Sequence, residues 1–325
     1  MKLVVIIPCL NEETTLPLVL GSIPEQIPGI DTIEILVIDD GSTDRTVAVA
    51  KRLGVRHFIH HARNRGLAMS LRDGIRGAME MQADIVVLTD GDNQYPQERI
   101  PDLIRPILDG TADTVIADRQ VKSIEHFSRT KKFLQRFGTG VLNAAAGTDI
   151  PDSTSGFRAY SREAATKFNL IGQFNFAMET TLQAAHKRLQ IATVPIRTNP
   201  KTRDSRLFKS SWEHVRKSAV ALINAYIMYK PFMAFMTLGI ILLAGGLIPF
   251  VHFLYLTLTT ANAFGAHHLQ SLIIGSVLLT GAFFCFTLGI IANLIRVNRV
   301  LMEDLLEELR RERYGMLVEE TTDEP

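Results

Sequence analysis

Short apolar runs alternate with amphipathic helical stretches through residues 1–120, and this alternation restricts the fold more than any other feature of the chain. The apolar runs are rich in β-branched residues and predict five strands, at residues 3–7, 33–38, 55–59, 85–88 and 114–117. The stretches between them have apolar residues at helical spacing and predict helices, at residues 14–23, 43–53, 67–81 and 98–108. A series of this kind predicts an α/β domain built around a mostly parallel sheet.

A polar cluster follows each of the first four predicted strands. The clusters are Pro8-Cys9-Leu10-Asn11-Glu12, Asp39-Asp40-Gly41-Ser42, Arg63-Asn64-Arg65-Gly66 and Asp90-Gly91-Asp92. Each cluster by itself is also typical of a turn or a helix cap, as for Ser42 at the start of a predicted helix. Because ligands of open α/β sheets bind outside the carboxyl ends of the strands, the four clusters together predict one binding edge.

The Asp90-Gly91-Asp92 cluster has the pattern of a site for a divalent cation. In an extended backbone, residues i and i+2 point to the same side, so Asp90 and Asp92 can converge while Gly91 keeps the backbone low. Carboxylate oxygens suit Mg²⁺ or Mn²⁺, and Mg²⁺ usually completes its coordination with water and substrate phosphates. The alternative for an isolated Asp-x-Asp is a polar turn with solvated acids, and the neighbouring clusters favour the metal site.

Composition and motifs argue against several other classes of function. The 325 residues carry a net charge of +1, which argues against nucleic-acid binding, and they suffice for one large domain or two smaller ones. The two cysteines, Cys9 and Cys285, provide neither a disulfide framework nor a cysteine-based metal site. No Gly-x-Gly-x-x-Gly motif follows the first strand and no Gly-x-x-x-x-Gly-Lys-Ser/Thr motif is present, so dinucleotide and P-loop binding are not indicated.

Four motifs occur in order along the first hundred residues: Ile7-Pro8-Cys9-Leu10-Asn11-Glu12, Val37-Ile38-Asp39-Asp40-Gly41-Ser42-Thr43-Asp44, Asn64-Arg65-Gly66, and the Asp-x-Asp at Asp90 and Asp92. Together they resemble the motifs of a family 2 glycosyltransferase with the GT-A fold. The resemblance implies a GT-A sheet with flanking helices, a nucleotide diphosphate sugar as donor, and Mg²⁺ or Mn²⁺ held by Asp90, Asp92 and Gln94. Glu12 and Asp39 would help to fix the base and ribose. The full set implied for nucleotide-sugar binding is Pro8, Leu10, Glu12, Asp39, Asp40, Arg65, Asp90, Gly91 and Asp92.

Two later motifs, separated by a basic stretch, are Ala117-Asp118-Arg119-Gln120 and Asp152-Ser153-Thr154-Ser155-Gly156-Phe157-Arg158-Ala159-Tyr160. They narrow the resemblance to the polyprenyl-phosphate glycosyltransferases, the group that contains dolichol-phosphate mannose synthase and its glucose-transferring relatives. The resemblance implies an acceptor phosphate held by Arg119, Arg129, Lys132, Ser155 and Gly156. A solvated helix face is the alternative for the basic stretch, and it is favoured for Lys131 and Arg136. By the same resemblance, Glu179 falls where many inverting relatives place an acid.

Residues 201–230 combine a cationic loop with an amphipathic helical pattern. The loop contributes Lys201, Arg203 and Arg206 as further candidate site residues. The helical pattern places Phe208, Trp212 and other apolar residues on one face, which predicts a helix lying in the interface of a lipid bilayer. A buried core helix is the alternative.

Residues 231–295 contain no Lys, Arg, Asp or Glu, which leaves room for two membrane spans of about 20 residues each. The spans are predicted at residues 232–256 and 272–295, joined by a turn without Lys or Arg. Basic residues flank the segment on both sides, at Lys217, Lys230, Arg296 and Arg299. The positive-inside rule therefore predicts an integral protein of the plasma or inner membrane, or an equivalent membrane, with the catalytic domain and both termini in the cytoplasm.

The chain is thus predicted to have four parts. They are a GT-A catalytic domain at residues 1–200, an acceptor loop and interfacial helix at 201–230, two transmembrane helices at 231–296, and a cytosolic C-terminal helix and tail at 297–325. In the last part, leucines recur at helical spacing among charged residues. This helix is therefore expected either to pack on the catalytic domain or to pair between subunits of a homo-oligomer.

The chemistry of the acceptor distinguishes two enzymatic hypotheses. A hydroxyl acceptor on a lipid or polysaccharide would need a general base, and Glu179 would take that role. A polyprenyl or dolichyl monophosphate has a second pKa of about 6 and can attack the anomeric carbon unaided. In that case Arg119 and Arg129 would offset the repulsion between two anionic reactants. Asp90, Asp92 and Arg119 are the predicted catalytic residues.

The predicted function is transfer of a hexose from a nucleotide diphosphate sugar to the lipid phosphate, and the family resemblance implies inversion at the anomeric carbon. UDP-glucose, UDP-N-acetylglucosamine and GDP-mannose are all open as donors, and the resemblance to the glucose-type relatives favours a UDP-sugar. A processive polysaccharide synthase would be expected to carry a Gln-x-x-Arg-Trp motif, which is absent. A non-enzymatic membrane scaffold would be expected to have lost an acidic metal ligand, and both Asp90 and Asp92 are present.

Overall fold

The computed structural model describes residues 1–120, 139–140, 142–143, 146–170, 176–200, 230–259 and 269–316. Two compact units make up the chain. The first, called here the catalytic unit, comprises Met1–Leu222 and Leu306–Pro325, and the second comprises Ile223–Leu305. The predicted interfacial helix and most of the turn between the two spans lie outside the described residues.

A seven-stranded mixed sheet forms the centre of the catalytic unit. Its strands are β1 (Lys2–Cys9), β2 (Thr32–Asp39), β3 (His57–His60), β4 (Ile85–Leu88), β5 (Thr114–Asp118), β6 (Arg158–Ser161) and β7 (Ile191–Pro195). Their order in the sheet is β3-β2-β1-β4-β6-β5-β7, and only β6 runs antiparallel to its neighbours. The five predicted strands and the largely parallel sheet are therefore confirmed, while β6 and β7 are additional.

Helices connect these strands and cover both faces of the sheet. They are α1 (Leu16–Ser22), α2 (Thr46–Arg52), α3 (Leu67–Glu80), α4 (Ile100–Leu108), α5 (Arg162–Lys167) and α6 (Phe176–His186). One core layer packs Val5 and Ile7 of β1 with Leu103 of α4. The other packs Ile6 of β1 with Leu71 of α3. Alternate residues of β1 thus pack into opposite core layers. Each fully buried aliphatic side chain adds about 1.5–3 kcal/mol to the free energy of unfolding relative to an exposed one.

The register of the strands brings their ends to one edge. Cys9 at the end of β1 pairs with Asp39 at the end of β2, and Ile6 pairs with Leu88 at the end of β4. Because β6 is antiparallel, its first residue Arg158 lies opposite Leu88. The segment that leads into β6 therefore reaches the same edge as the polar cluster that follows β4.

Two long helices dominate the described part of the second unit. They are α7 (Pro231–Thr259) and α8 (Leu269–Arg313), which extends into the catalytic unit. Their most apolar windows have mean hydropathies of 2.2 and 2.1, and only 11% and 17% of those windows are buried within the protein. Both helices are long and apolar enough to cross a membrane, and their apolar surface is not covered as it would be in a soluble core.

Helix α8 continues past its apolar part without a break and ends within the catalytic unit. There Arg310 donates hydrogen bonds to the carbonyl oxygens of Thr166 and Phe168, at 3.1 and 2.8 Å. Tyr314, just beyond the helix, is buried in the core layer that also contains Ile6 and Leu71. The end of the C-terminal helix thus packs on the catalytic unit, which is one of the two arrangements expected from the sequence.

Candidate active site

The turn that follows β4 presents the two carboxylates of the Asp-x-Asp motif at the carboxyl edge of the sheet. Asp92 accepts two hydrogen bonds from Gln94: one from its backbone N–H to Oδ1 at 3.1 Å, and one from its side-chain Nε2 to Oδ2 at 2.7 Å. Between them, Asn93 adopts the left-handed region with φ of 59°. Asp92 and Gln94 are therefore held together as a preformed pair of oxygen-bearing side chains.

Close packing at two glycines leaves little room for a larger residue beside this turn. A Cβ atom on Gly91 would lie 3.2 Å from Cys9 Sγ and 3.3 Å from both Glu12 Cγ and the carbonyl oxygen of Pro8. A Cβ atom on Gly156 would lie 3.3 Å from Asp90 Oδ2. The missing side chains let the loop after β1 and the loop before β6 approach the turn that carries Asp90.

The donor set at this turn fits a hard divalent cation. Asp90 and Asp92 supply carboxylates and Gln94 an amide oxygen, which are the ligand types that Mg²⁺ and Mn²⁺ prefer. Among the described residues, no group of three or more His, Cys, Asp or Glu side chains has metal-binding geometry. Asp90, Asp92 and Gln94 supply part of a coordination shell, which suits a cation that is shared with substrate phosphates.

The turns after β1 and β2 form the neighbouring part of the edge. Glu12 is 4% exposed, and its Oε2 accepts a 2.7 Å hydrogen bond from the Thr15 hydroxyl. Asp39 Oδ1 accepts a 3.0 Å bond from the backbone N–H of Ser42. Pro8 is the penultimate residue of β1 and Leu10 follows that strand directly. The structure thus brings the predicted nucleotide-sugar residues of both turns to one edge.

Asp40 organises the loop after β3. Its Oδ1 accepts from the backbone N–H of Arg65 at 2.8 Å, its Oδ2 accepts from that of Gly66 at 2.9 Å, and Oδ1 also lies 2.7 Å from His61 Nδ1. The Arg65 guanidinium is directed to Asp73, with an Nη1 to Oδ2 distance of 3.0 Å. In this structure Asp40 and the backbone of Arg65 therefore shape the loop.

On the other side of the Asp90 turn, Arg119 is paired with Asp152. Its Nε and Nη2 donate to the two carboxylate oxygens at 2.6 and 2.9 Å, and Nη2 also donates to Thr154 Oγ1 at 2.8 Å. Burial opposes charge on both groups, but their mutual hydrogen bonds and Coulomb attraction prevail. The pKa of Arg119 is raised and that of Asp152 is lowered, so both are charged near neutral pH.

Arg158 fixes the loop that carries Ser155 and Gly156. Its guanidinium is fully buried and donates to the carbonyl oxygens of Ser153 and Ser155 at 2.6 and 2.7 Å. Its Nη1 also donates to the hydroxyls of Thr180 and Thr181 on α6, at 3.0 and 2.9 Å. This one side chain thereby ties the loop to the helix.

Ser155 and Glu179 lie beside this buried guanidinium in the chain. The Ser155 hydroxyl is buried without a hydrogen-bond partner in the described part of the protein. Glu179 is 7% exposed on α6 and directly precedes Thr180, which Arg158 contacts. The remaining predicted acceptor-side and loop residues lie outside the described residues: Arg129, Lys132, Lys201, Arg203 and Arg206.

Comparison with models of protein families identifies the family of this chain. Residues 4–168 match the model of the family described as glycosyl transferase family 2, which covers about half of the sequence and includes all the turns described above. The protein belongs to glycosyl transferase family 2. The activity class predicted from the four ordered motifs is thereby confirmed.

Several curated relatives are similar to this glycosyltransferase. An undecaprenyl-phosphate mannosyltransferase of Micrococcus luteus is 29% identical over 60% of this chain and 83% of that protein. A polyprenol monophosphomannose synthase of Mycolicibacterium smegmatis is 28% identical over 60% of this chain and 76% of that protein. A dolichol-phosphate mannosyltransferase of Pyrococcus furiosus is 33% identical, with coverage of 58% and 54%. The relatives belong to the group that the later motifs resemble.

Solved structures support the fold assignment. Glucosyl-3-phosphoglycerate synthase from Mycobacterium tuberculosis in complex with UDP has a TM-score of 0.53 and 24% identity, over 69% of this chain and 80% of that one. A complex of that synthase with Mn²⁺, UDP and glucosyl-3-phosphoglycerate has a TM-score of 0.51 and 24% identity, over 70% of this chain and 78% of that one. These likenesses confirm the predicted GT-A fold of the glycosyltransferase.

Three residues of the site were not predicted from the sequence of this glycosyltransferase: Tyr95, Arg158 and Asn199. Tyr95 is buried, and its hydroxyl oxygen accepts a 2.8 Å hydrogen bond from the backbone N–H of Gly156. Arg158 and Asn199 contact backbone carbonyls of the site loops. A buried arginine in a strand breaks the pattern of apolar residues by which strands are predicted from sequence. The Asn199-Pro200 pair predicts only an ordinary turn.

Proposed function

We propose that this glycosyltransferase moves a hexose from a nucleotide diphosphate sugar to a polyprenyl or dolichyl monophosphate, with inversion at the anomeric carbon. The observation that carries the proposal is the convergence of the Asp90–Gln94 turn, the donor-side turns and the Arg119–Asp152 pair at one sheet edge. The names of the curated relatives supply the acceptor class.

A UDP-sugar is the preferred donor in this proposal. One support is the fold shared with a synthase crystallised with UDP. The other is a relative from Methanococcus voltae that is 28% identical and is named as a UDP-N-acetylglucosamine–dolichyl-phosphate N-acetylglucosaminyltransferase. GDP-mannose is the alternative because other relatives are named as mannosyltransferases. Glu12 and Asp39 would contact the base and ribose from the turns after β1 and β2.

Asp90, Asp92 and Gln94 would hold Mg²⁺ or Mn²⁺ against the donor diphosphate. When bound, the cation supplies Lewis-acid stabilisation of the departing nucleoside diphosphate. Gln94 keeps Asp92 in place through its two hydrogen bonds, so the protein's own contribution is a preorganised pair of oxygen ligands.

On the acceptor side, the protein has to bring a second anion close to the donor. A lipid phosphate carries much of its second negative charge near neutral pH and needs no proton acceptor to attack. Arg119 supplies a permanent positive charge at this edge, and Asp152 occupies two of its three guanidinium nitrogens. A phosphate would therefore meet Arg119 through Nη1, with Ser155 and Gly156 on the adjoining loop and Arg129 and Lys132 as further cations.

A hydroxyl acceptor remains the second candidate because Glu179 is a buried carboxyl group on the helix that Arg158 connects to the acceptor loop. In that reaction Glu179 would take the proton from the hydroxyl as it attacks the anomeric carbon. The phosphate acceptor is favoured because its attack leaves no proton to be removed.

The two long apolar helices would anchor the enzyme in a bilayer, with the catalytic unit and both termini in the cytoplasm. The basic residues on either side of the apolar segment support this orientation. In intact cells, Ala261→Cys should react with an impermeant thiol reagent and Thr321→Cys should not. Equal labelling at the two positions would refute the orientation.

A transfer assay with radiolabelled nucleotide sugars tests the proposed reaction. The detergent-solubilised full-length protein would receive polyprenyl phosphate and, in turn, UDP-glucose, UDP-N-acetylglucosamine and GDP-mannose. Formation of a lipid-linked monosaccharide from one donor, dependent on Mg²⁺ or Mn²⁺, is expected. Absence of product with every donor, in protein that shows a cooperative unfolding transition, would contradict the proposal.

A further inference from the structure

We propose that Asn199 is a positioning residue of the metal centre, which holds the turn carrying Asp92 and Gln94 in its binding conformation. The inference rests on the metal site of the proposed function. Asn199 lies far from this turn in the sequence, 106 positions from Asn93.

Three hydrogen bonds connect Asn199 to the turn. Its side-chain Nδ2 donates to the carbonyl oxygens of Asn93 and Tyr95, at 3.1 and 3.2 Å. Its backbone N–H donates to the carbonyl oxygen of Gln94 at 2.9 Å. The carbonyls of three consecutive residues are therefore all bound by one asparagine.

The conformation of the turn explains why it needs this support. Asn93 has φ of 59°, in a region that non-glycine residues occupy at a cost unless the surroundings stabilise it. Its neighbours Asp92 and Gln94 have to present their oxygens to the same cation, and they already hydrogen-bond to each other. By bonding the carbonyl oxygens of Asn93 and Gln94, Asn199 fixes the two peptide planes that flank the Cα atom of Gln94, from which its side chain departs.

The path of the chain from β7 places Asn199 where it can act. The backbone N–H of Ile196 donates to the carbonyl oxygen of Asp118 at 2.9 Å, so the segment after β7 runs along the end of β5. It then reaches the turn after β4 at Asn199. In the sequence, Pro200 follows Asn199 and disfavours a helical conformation there, which keeps the backbone extended.

Hydrogen bonds that hold the ligand-bearing residues in place affect metal affinity, because a loosely held ligand has to be ordered when the cation binds. Loss of such a partner typically weakens metal affinity by roughly tenfold to a hundredfold. Asn199→Ala removes both side-chain donors, and Asn199→Leu removes them while keeping a similar side-chain volume. The expected effect is therefore the same in both variants.

The test is Mn²⁺ titration of the detergent-solubilised full-length protein, followed by the electron paramagnetic resonance signal of free Mn²⁺. Asn199→Ala and Asn199→Leu should each weaken binding by about tenfold to a hundredfold. Ser161→Ala is the matched control, because it removes the hydrogen bond that caps α5, at the opposite end of β6 from the site. It should bind Mn²⁺ as the unmodified protein does.

Asp92→Asn separates failure of this inference from failure of the proposed metal site. If Asp92→Asn loses Mn²⁺ while both Asn199 variants bind it normally, the role of Asn199 is wrong and the metal site stands. If Asp92→Asn also binds normally, the metal site itself is wrong. In transfer assays, excess Mn²⁺ should restore kcat of Asn199→Ala towards the unmodified value, and a low kcat at every Mn²⁺ concentration would contradict a positioning role.

Discussion

The donor and acceptor sides of the sheet edge are stabilised in different ways. On the donor side, carboxylates accept hydrogen bonds from backbone N–H groups of the turns: Asp39 accepts from Ser42 and Asp40 accepts from Arg65. On the acceptor side, guanidinium groups join segments that are distant in the chain: Arg119 binds Asp152, 33 residues away, and Arg158 binds Thr180, 22 residues away. The donor side is thus held by carboxylates bonded to the backbone, and the acceptor side by largely buried guanidinium groups.

This difference predicts where substitutions act. The largest effect is expected for Asp92→Asn, which halves the anionic charge offered to the cation and should abolish transfer while leaving the fold intact. Asp102→Asn is the control, because Asp102 is an exposed acid on α4 that forms an ion pair with nearby Arg99. Transfer would be measured over a range of Mg²⁺ and Mn²⁺ concentrations, and retention of most activity at saturating metal would exclude the metal assignment.

A smaller loss is expected for Arg119→Ala on the acceptor side. Loss of a charge-assisted contact to phosphate is worth roughly 1.5–3 kcal/mol, so transfer should fall about tenfold to a hundredfold or more. Use of the lipid should suffer much more than binding of the nucleotide sugar, because the cation holds the diphosphate. Kinetics at varied lipid and donor concentrations, with nucleotide affinity from calorimetry, would distinguish these effects.

The Asp152 contact requires a further control for that experiment. Asp152 has a side chain only 1% exposed, and Arg119→Ala would leave its charge buried without its partner. The double variant Arg119→Ala/Asp152→Ala removes both charges, and its comparison with the single variants isolates their coupling. If the double variant recovers normal lipid dependence, Arg119 serves the fold and does not bind the acceptor.

Glu179→Gln should have a milder effect than either change. A general base typically contributes about a hundredfold to ten-thousandfold, whereas a phosphate nucleophile has little need of one. The loss in kcat should therefore stay well below about a hundredfold. A dead Glu179→Gln enzyme combined with normal lipid dependence in Arg119→Ala would favour the hydroxyl acceptor.

The smallest expected effect concerns stability in acid. The pKa of Asp152 is lowered in the folded protein, where the opposing effect of burial is outweighed by hydrogen bonds from Arg119 and Thr154. Its stabilising contribution is therefore present above the unfolded pKa of about 3.8 and is lost as the pH falls through the lower folded value. The thermal midpoint of Asp152→Asn should change less below pH 4 than that of the unmodified protein, and equal acid sensitivity would contradict this origin.

The same contrast explains how much the sequence could reveal. The donor-side strands have uninterrupted apolar runs, and their polar ends fall at fixed positions, so residues such as Asp39 and Asp90 were placed correctly at one edge. β6 was missed because its first residue, Arg158, is charged yet fully buried, and its burial is compensated by carbonyls and hydroxyls distant in the chain. These hydrogen-bond partners come together only in the folded protein, so the spacing of apolar residues along the sequence does not predict them.

The role of Arg119 illustrates a further limit. The sequence places Arg119 directly after the fifth strand, which ends at Asp118, but it did not reveal that Asp152 binds two of the three guanidinium nitrogens of Arg119. Likewise, the leucines near the end of the chain predicted a helix, and only the structure showed that α8 continues from the apolar segment to the catalytic unit. Pairing across long sequence separations is decided by tertiary packing.

The central claim is that the acceptor is a lipid phosphate, and a direct comparison of acceptors tests it. The unmodified enzyme would receive the same radiolabelled nucleotide sugar with either a polyprenyl phosphate or the free polyprenol of equal chain length. The account predicts a sugar-phosphate-lipid product with the phosphate and no transfer to the alcohol. Transfer to the polyprenol, with the polyprenyl phosphate left unglycosylated, would contradict it.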